Sequence, residues 1–142
     1  MNAPKMIILH HSATKDSGTV SWPAIRRYHI EQGWGDIGYH AGIELVGDDY
    51  EVMLGRPEEL AGAHTKGKNS VSLGFCFVGD YDRQPPDPRM LEIAVDRVLL
   101  PWCRKYRLTA DDIRAHYEFA NKTCPGSSFP VEQVRNLIKA RL

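Results

Sequence analysis

Two stretches of this chain are apolar almost without interruption: Met6 to Leu9, and Ser70 to Val78, which ends at Gly79. A strand with one wet face alternates polar and apolar residues, whereas a continuous apolar run belongs to a strand covered on both faces. Such strands need other elements packed on either side of their sheet, so the chain is constrained to a layered α/β arrangement.

The segments between them supply those layers. Ser21-Trp22-Pro23 reads as a helix start, a cap residue followed by a first-turn proline, and the helix should reach about Gln32 and stop at Gly33. Tyr39 to Val46 reads as a strand, paired with Glu51 to Leu54 across the turn Gly47-Asp48-Asp49. Leu60 to Lys68 is a glycine-rich loop. After the proline-rich Gln84 to Pro88, the residues Leu91, Ala94, Val95, Val98, Leu99 and Trp102 recur at helical spacing. Pro101 lies inside that pattern and should kink or break the helix, because it lacks an amide donor and clashes one turn back. Ile113 to His116 suits a short strand, and Val131, Val134, Leu137 and Ile138 a final amphipathic helix. With 142 residues, the expectation is one α/β domain: a central mixed β-sheet flanked by about three helices.

Charge excludes little but supports few partners. Lys plus Arg and Asp plus Glu number 18 each, for zero net charge, which gives no support for nucleic acid or a membrane surface as partner. No apolar run is long enough to span a bilayer. Met1 to Lys5 lacks the order of a signal peptide, so synthesis and folding in a cytoplasm are expected. Three cysteines, an odd count, argue against a disulfide framework, and Cys76 and Cys103 read as buried thiols.

Chemistry concentrates in two fragments a hundred residues apart, ILHHSAT (Ile8 to Thr14) and RAHYEFANKTCPG (Arg114 to Gly126). His10 falls at the end of a buried strand, where α/β folds place functional groups. His116 is followed eight positions later by Cys124, and Pro125-Gly126 forms a turn able to bring that thiolate back. Two imidazoles and a thiolate suit zinc, and three protein ligands leave the fourth position that a catalytic site needs. On residue chemistry alone, a metal site and a set of satisfied structural polar residues both remain open.

Four blocks in order, ILHHSAT, IRRYHIEQGWGDIGYH (Ile25 to His40), GAHTKGKNSVSLGFCFVG (Gly62 to Gly79) and RAHYEFANKTCPG, resemble the zinc-dependent N-acetylmuramoyl-L-alanine amidases shared by phage endolysins and peptidoglycan recognition proteins. The resemblance extends from Ile7 to about Leu142 and is nearest to single-domain phage endolysins. It implies one Zn2+ per chain, with His10, His116 and Cys124 as ligands, while His11 points elsewhere because neighbours in a strand face opposite sides. It implies catalytic roles for Tyr39, as partner of the reacting water, and Lys122, as partner of the developing negative charge. Without the resemblance, these would read as a half-buried strand aromatic and a solvated loop lysine. It further implies substrate contacts from Trp34, His40, His64 and Asn69, although Trp34 also suits a core position and His40 a residue that orients a ligand.

The reaction so implied is cleavage of the amide between N-acetylmuramic acid and L-alanine in bacterial peptidoglycan. The protein would act as a monomer, with no nucleic acid or membrane partner, on the cell wall after holin-type release. The alternative is a recognition module that binds peptidoglycan without cutting it.

Overall fold

The structure is a computed structural model that describes residues 1, 3–14 and 21–142. Its centre is a five-stranded mixed sheet in the order β3-β2-β4-β1-β5. The strands are β1 (Met6–His11), β2 (Ala41–Val46), β3 (Asp49–Leu54), β4 (Ser72–Phe77) and β5 (Ile113–Ala115). Strand β1 lies parallel to β4 and β5, β2 lies parallel to β4, and only the β2–β3 hairpin is antiparallel. The expected α/β class with a mixed sheet is what forms.

Both faces of β1 and β4 are covered, as their sequences require. On one face Ile7, Leu9, Leu73, Phe75, Phe77 and Ile113 pack beneath the helices of the second half of the chain. Phe77 stacks on Phe129 at 4.8 Å and Phe75 meets Trp102 edge-on at 6.2 Å. Burying each such side chain stabilises the fold by about 1.5–3 kcal/mol. On the other face a smaller cluster of Trp22, Ile37, Cys76 and Val78 lies under α1 (Trp22–Glu31). His10 pairs in register with Cys76, so it belongs to this second face.

Residues 88–106 form one continuous helical rod rather than a broken helix. It comprises α2 (Pro88–Ala94), a π-helical turn (Val95–Leu99) and α3 (Leu100–Tyr106). The expectation that Pro101 would break the helix is corrected, since helical backbone runs through it, although the regular α ladder is interrupted just before it. Proline has no amide to donate, and the widened π turn directly upstream, closed by the Leu100 amide on the Val95 carbonyl, is where the ladder changes register around that missing donor. The last helix is α4 (Val131–Arg141).

The start of α1 also differs from expectation. Pro23 stands in its first turn, but Ser21 makes no side-chain cap to the helix. The cap comes from Glu44 on β2, which is 0% exposed. Its carboxylate accepts from the Ser21 amide (2.8 Å), the Ser21 hydroxyl (2.6 Å) and the Trp22 amide (3.2 Å). A negative group at a helix N-terminus meets both its free amides and its dipole. Glu44→Leu orphans these buried donors, and is expected to lower the free energy of unfolding by about 2–3 kcal/mol in urea denaturation.

Candidate metal centre

The sheet register brings the two histidines together. Leu9 pairs with Ala115 across β1 and β5, so His10 and His116 come next on neighbouring parallel strands, at their carboxyl ends. Their rings stand 4.5 Å apart. His116 opens a short 3-10 turn (His116–Glu118), and the chain then loops back: the Tyr117 amide donates to the Cys124 carbonyl at 2.9 Å. Gly126, at φ +127°, completes the return, with no room for a Cβ against the Tyr81 backbone. The His11 amide donates to Cys124 Sγ at 3.3 Å, and that sulfur lies 3.6 Å from His10 Nδ1.

One nitrogen or sulfur atom from each of His10, His116 and Cys124 lies within 4.8 Å of the others, and all three residues are buried. His116 Nδ1 has no hydrogen-bond partner among the described residues. An orphaned buried acceptor costs about 1–3 kcal/mol, and a cation shared by the three donors removes that cost. The donor set of two imidazoles and one thiol fits zinc. Burial holds His10 and His116 below the ordinary imidazole range, with Lys122 adding to the effect at both, so the rings are neutral donors at pH 7. Burial pushes the Cys124 thiol up to about 11, against smaller opposing effects from the His11 amide and Lys122.

The three donors line a cleft of about 360 Å³ with Trp34, Tyr39, His64 and Lys122. Tyr39 sits just before β2 rather than inside it, its ring 5.1 Å from that of His10. Burial, followed by the nearby Cys76 and Cys124 sulfurs, holds its phenol well above the ordinary range, so it keeps its proton. Trp34 is 43% exposed and forms a wall of the cleft, its ring against His29 at 4.6 Å. Asn69 lies along an adjoining groove with Lys66, Phe119 and Lys122, and its side-chain oxygen accepts from the His64 and Thr65 amides at 2.9 Å each.

His40 is not among the residues lining the cleft. It stands behind His64, rings 5.9 Å apart, with Nδ1 accepting from the Gly74 amide and Nε2 donating to the Leu60 carbonyl. Two backbone partners occupy both ring nitrogens, which suits the alternative expected for His40, a residue that orients its neighbours. His11 also lines the cleft but is not one of the three clustered donors, its Nδ1 accepting from the Tyr81 amide. Cys76 and Cys103 are buried, and burial raises both thiols.

Among the lining residues that sequence reasoning did not single out are His29 and Asp82. His29 accepts the Gly38 amide on Nδ1 at 2.8 Å. Its spacing from Trp22 and Ile25 puts it on the inward face of α1, which was a usable signal. Asp82 accepts from the Ser127 amide (2.8 Å) and the Thr123 hydroxyl (3.0 Å), clamping the Cys124 loop to the end of β4. Nothing in the sequence distinguishes it from any loop carboxylate.

Residues 1–127 match the family profile described as N-acetylmuramoyl-L-alanine amidase. The chain is 38% identical over 124 residues to the endolysin of Escherichia phage T7, covering 84% of this chain and 78% of that protein. Among solved structures it resembles the N-acetylmuramoyl-L-alanine amidase LysC from Clostridium intestinale, with TM-score 0.79 and 28% identity over 96% of this chain and 86% of that one. A mutant of Drosophila PGRP-LB solved in complex with tracheal cytotoxin gives TM-score 0.79 and 27% identity, over 93% of this chain and 81% of that one.

His29 and His40 carry a pH dependence. Each holds a backbone amide on an unprotonated Nδ1, and burial, its largest cause, keeps each below the ordinary imidazole range. Unfolded imidazoles titrate near 6.5, so below about that pH the unfolded chain binds protons that the native state refuses. Stability is therefore complete above about pH 6.5 and falls as pH drops toward the lowered native values. The slope is at most about 1.4 kcal/mol per pH unit for each histidine. Urea midpoints of the metal-free protein should fall between about pH 7 and pH 5, and a constant midpoint would contradict neutral burial.

Proposed function

The chain belongs to the N-acetylmuramoyl-L-alanine amidase family, and from that premise we propose that it hydrolyses the amide between N-acetylmuramic acid and L-alanine in bacterial peptidoglycan, using one zinc ion held by His10, His116 and Cys124. The observation that carries this reading is the convergence of the three donors on the wall of an accessible cleft that also holds Tyr39 and Lys122. When bound, zinc supplies a Lewis acid that activates water and polarises a carbonyl at neutral pH.

The chain's own residues supply the rest. The Tyr39 phenol, kept protonated by burial, acts as a hydrogen-bond donor to the charge that develops on oxygen. The Lys122 ammonium, at the rim of the same cleft, adds positive charge on that side. Trp34 offers an apolar wall, and the groove beyond it, past Asn69 and Phe119, suits an extended stem peptide.

Similarity to recognition proteins keeps a binding module in view, but the complete donor set together with Tyr39 and Lys122 favours hydrolysis. The similarity to phage endolysins supports a lytic role, in which the protein is made in the host cytoplasm and reaches the wall by holin-type release. In this role it works as a monomer without nucleic acid or membrane partners.

Purified peptidoglycan digested with the protein should release stem peptides that begin with L-alanine, identified by mass. Chelation should abolish the release and zinc should restore it. Binding of peptidoglycan by the folded, zinc-loaded protein without such products would favour the recognition module. Cys124→Ser should lose zinc under dialysis that leaves the wild type loaded, because a neutral hydroxyl replaces a thiolate. Tyr39→Phe should keep zinc and lose about 10²–10³-fold in kcat; unchanged kcat would remove Tyr39 from the chemistry.

A further inference from the structure

His64 is as deeply set as the proposed ligands, yet it is not one of them. Its ring rests in a slot that only glycine leaves open. A Cβ on Gly74 of β4 would come within 2.6 Å of the ring, and a Cβ on Gly62 would do the same. Asn69 pins the His64 and Thr65 amides, and the His40 ring closes the far side edge-on. A ring seated this firmly presents each nitrogen in a fixed direction.

Those directions run toward His10. His64 Nδ1 lies 2.9 Å from His10 Nε2 and 3.0 Å from the Thr65 hydroxyl, which is itself 3.3 Å from His10 Nε2. His64 Nε2 lies 3.4 Å from the Ser72 hydroxyl oxygen, and that hydroxyl donates to the Lys68 carbonyl at 2.7 Å.

Proton positions follow from the carbonyl, which can only accept. Ser72 spends its single proton on Lys68, so its oxygen receives one from His64 Nε2. A neutral imidazole with its proton on Nε2 has a bare Nδ1. His64 Nδ1 is then an acceptor, so the proton between the rings belongs to His10 Nε2. The Thr65 hydroxyl oxygen stands beside the same pair, within reach of the His10 proton as a second acceptor. His10 is left with a bare Nδ1, the atom that faces Cys124.

Resting on the zinc reading above, we propose that His64 is a positioning residue: the chain Lys68 carbonyl, Ser72, His64 fixes the tautomer and orientation of His10 so that Nδ1 is the metal donor. Both nitrogens of His64 are then spent inside the protein, and it offers a bound peptide only the carbon edge of its ring.

The test reads the ring directly. Long-range 1H–15N correlation spectra of the metal-free wild type should show His10 protonated on Nε2 and bare on Nδ1. His64→Leu should give mixed His10 tautomers and weaken zinc binding, measured by chelator competition, by about 10–100-fold. His64→Asn, which keeps an acceptor near the position of Nδ1, should recover most of that affinity. A residue that only touched substrate would change KM and leave both readouts where they were.

A proton on His10 Nδ1 in a wild type that binds zinc would overturn this inference alone. So would a folded His64→Leu protein with unchanged zinc affinity. A wild type that takes up no zinc would overturn the metal reading and this inference together. The wild-type spectrum needs no substitution, so it decides the question even if the leucine variant does not fold.

Discussion

Parallel pairing of β1 with β5 and β4 is the constraint from which the site follows. With Leu9 opposite Ala115, the next residue on each strand is a histidine, and both fall on the same face at the carboxyl ends. Slipping the register by one residue would turn one imidazole into the aromatic core beneath Phe75 and Phe77. The apolar side of these strands therefore fixes the polar side. Burial of Ile7, Leu9, Ile113 and Ala115 holds the donors in place, with no disulfide among the described residues.

The cysteine arrives by a different route. It comes from a loop, which has no ladder to set its position, and local hydrogen bonds do that work. The Tyr117 amide, the His11 amide and the Asp82 carboxylate tie the loop to the ends of β5, β1 and β4 in turn. The second face follows the same logic. Glu44 anchors α1, His29 and His40 hold backbone amides, and Asn69 fixes the loop that carries His64. Each of the buried groups among these, Glu44, His29 and His40, has partners, as the cost of leaving it without them demands. Together they hold a half-open cleft against a sheet whose opposite side is packed with aromatic rings.

How much of this could be read in the sequence depended on the range of the interaction involved. The strands were legible because continuous apolar runs have a local cause. The three donors were legible because their residue types and the surrounding motif are local too. Pro101 was legible as a disturbance of the helix but not as a π turn upstream that lets the helix run on, a response that periodicity does not report. Ser21 misled because a better acceptor, Glu44, arrives from a strand more than twenty residues away. His40 left two readings open in sequence, and its bonds to the backbone of Gly74 and Leu60 suit the one in which it orients its neighbours. The sequence marks a histidine but not which distant amide will claim it.

The proposed zinc site combines nitrogen and sulfur donors and leaves one position open to the cleft. Zinc K-edge X-ray absorption of the reconstituted protein tests it most directly. The expected result is one sulfur at about 2.3 Å and three nitrogen or oxygen neighbours at about 2.0–2.1 Å, with the sulfur lost in Cys124→Ser. A spectrum without sulfur, or with more than one, would contradict the assignment of His10, His116 and Cys124 as the donors.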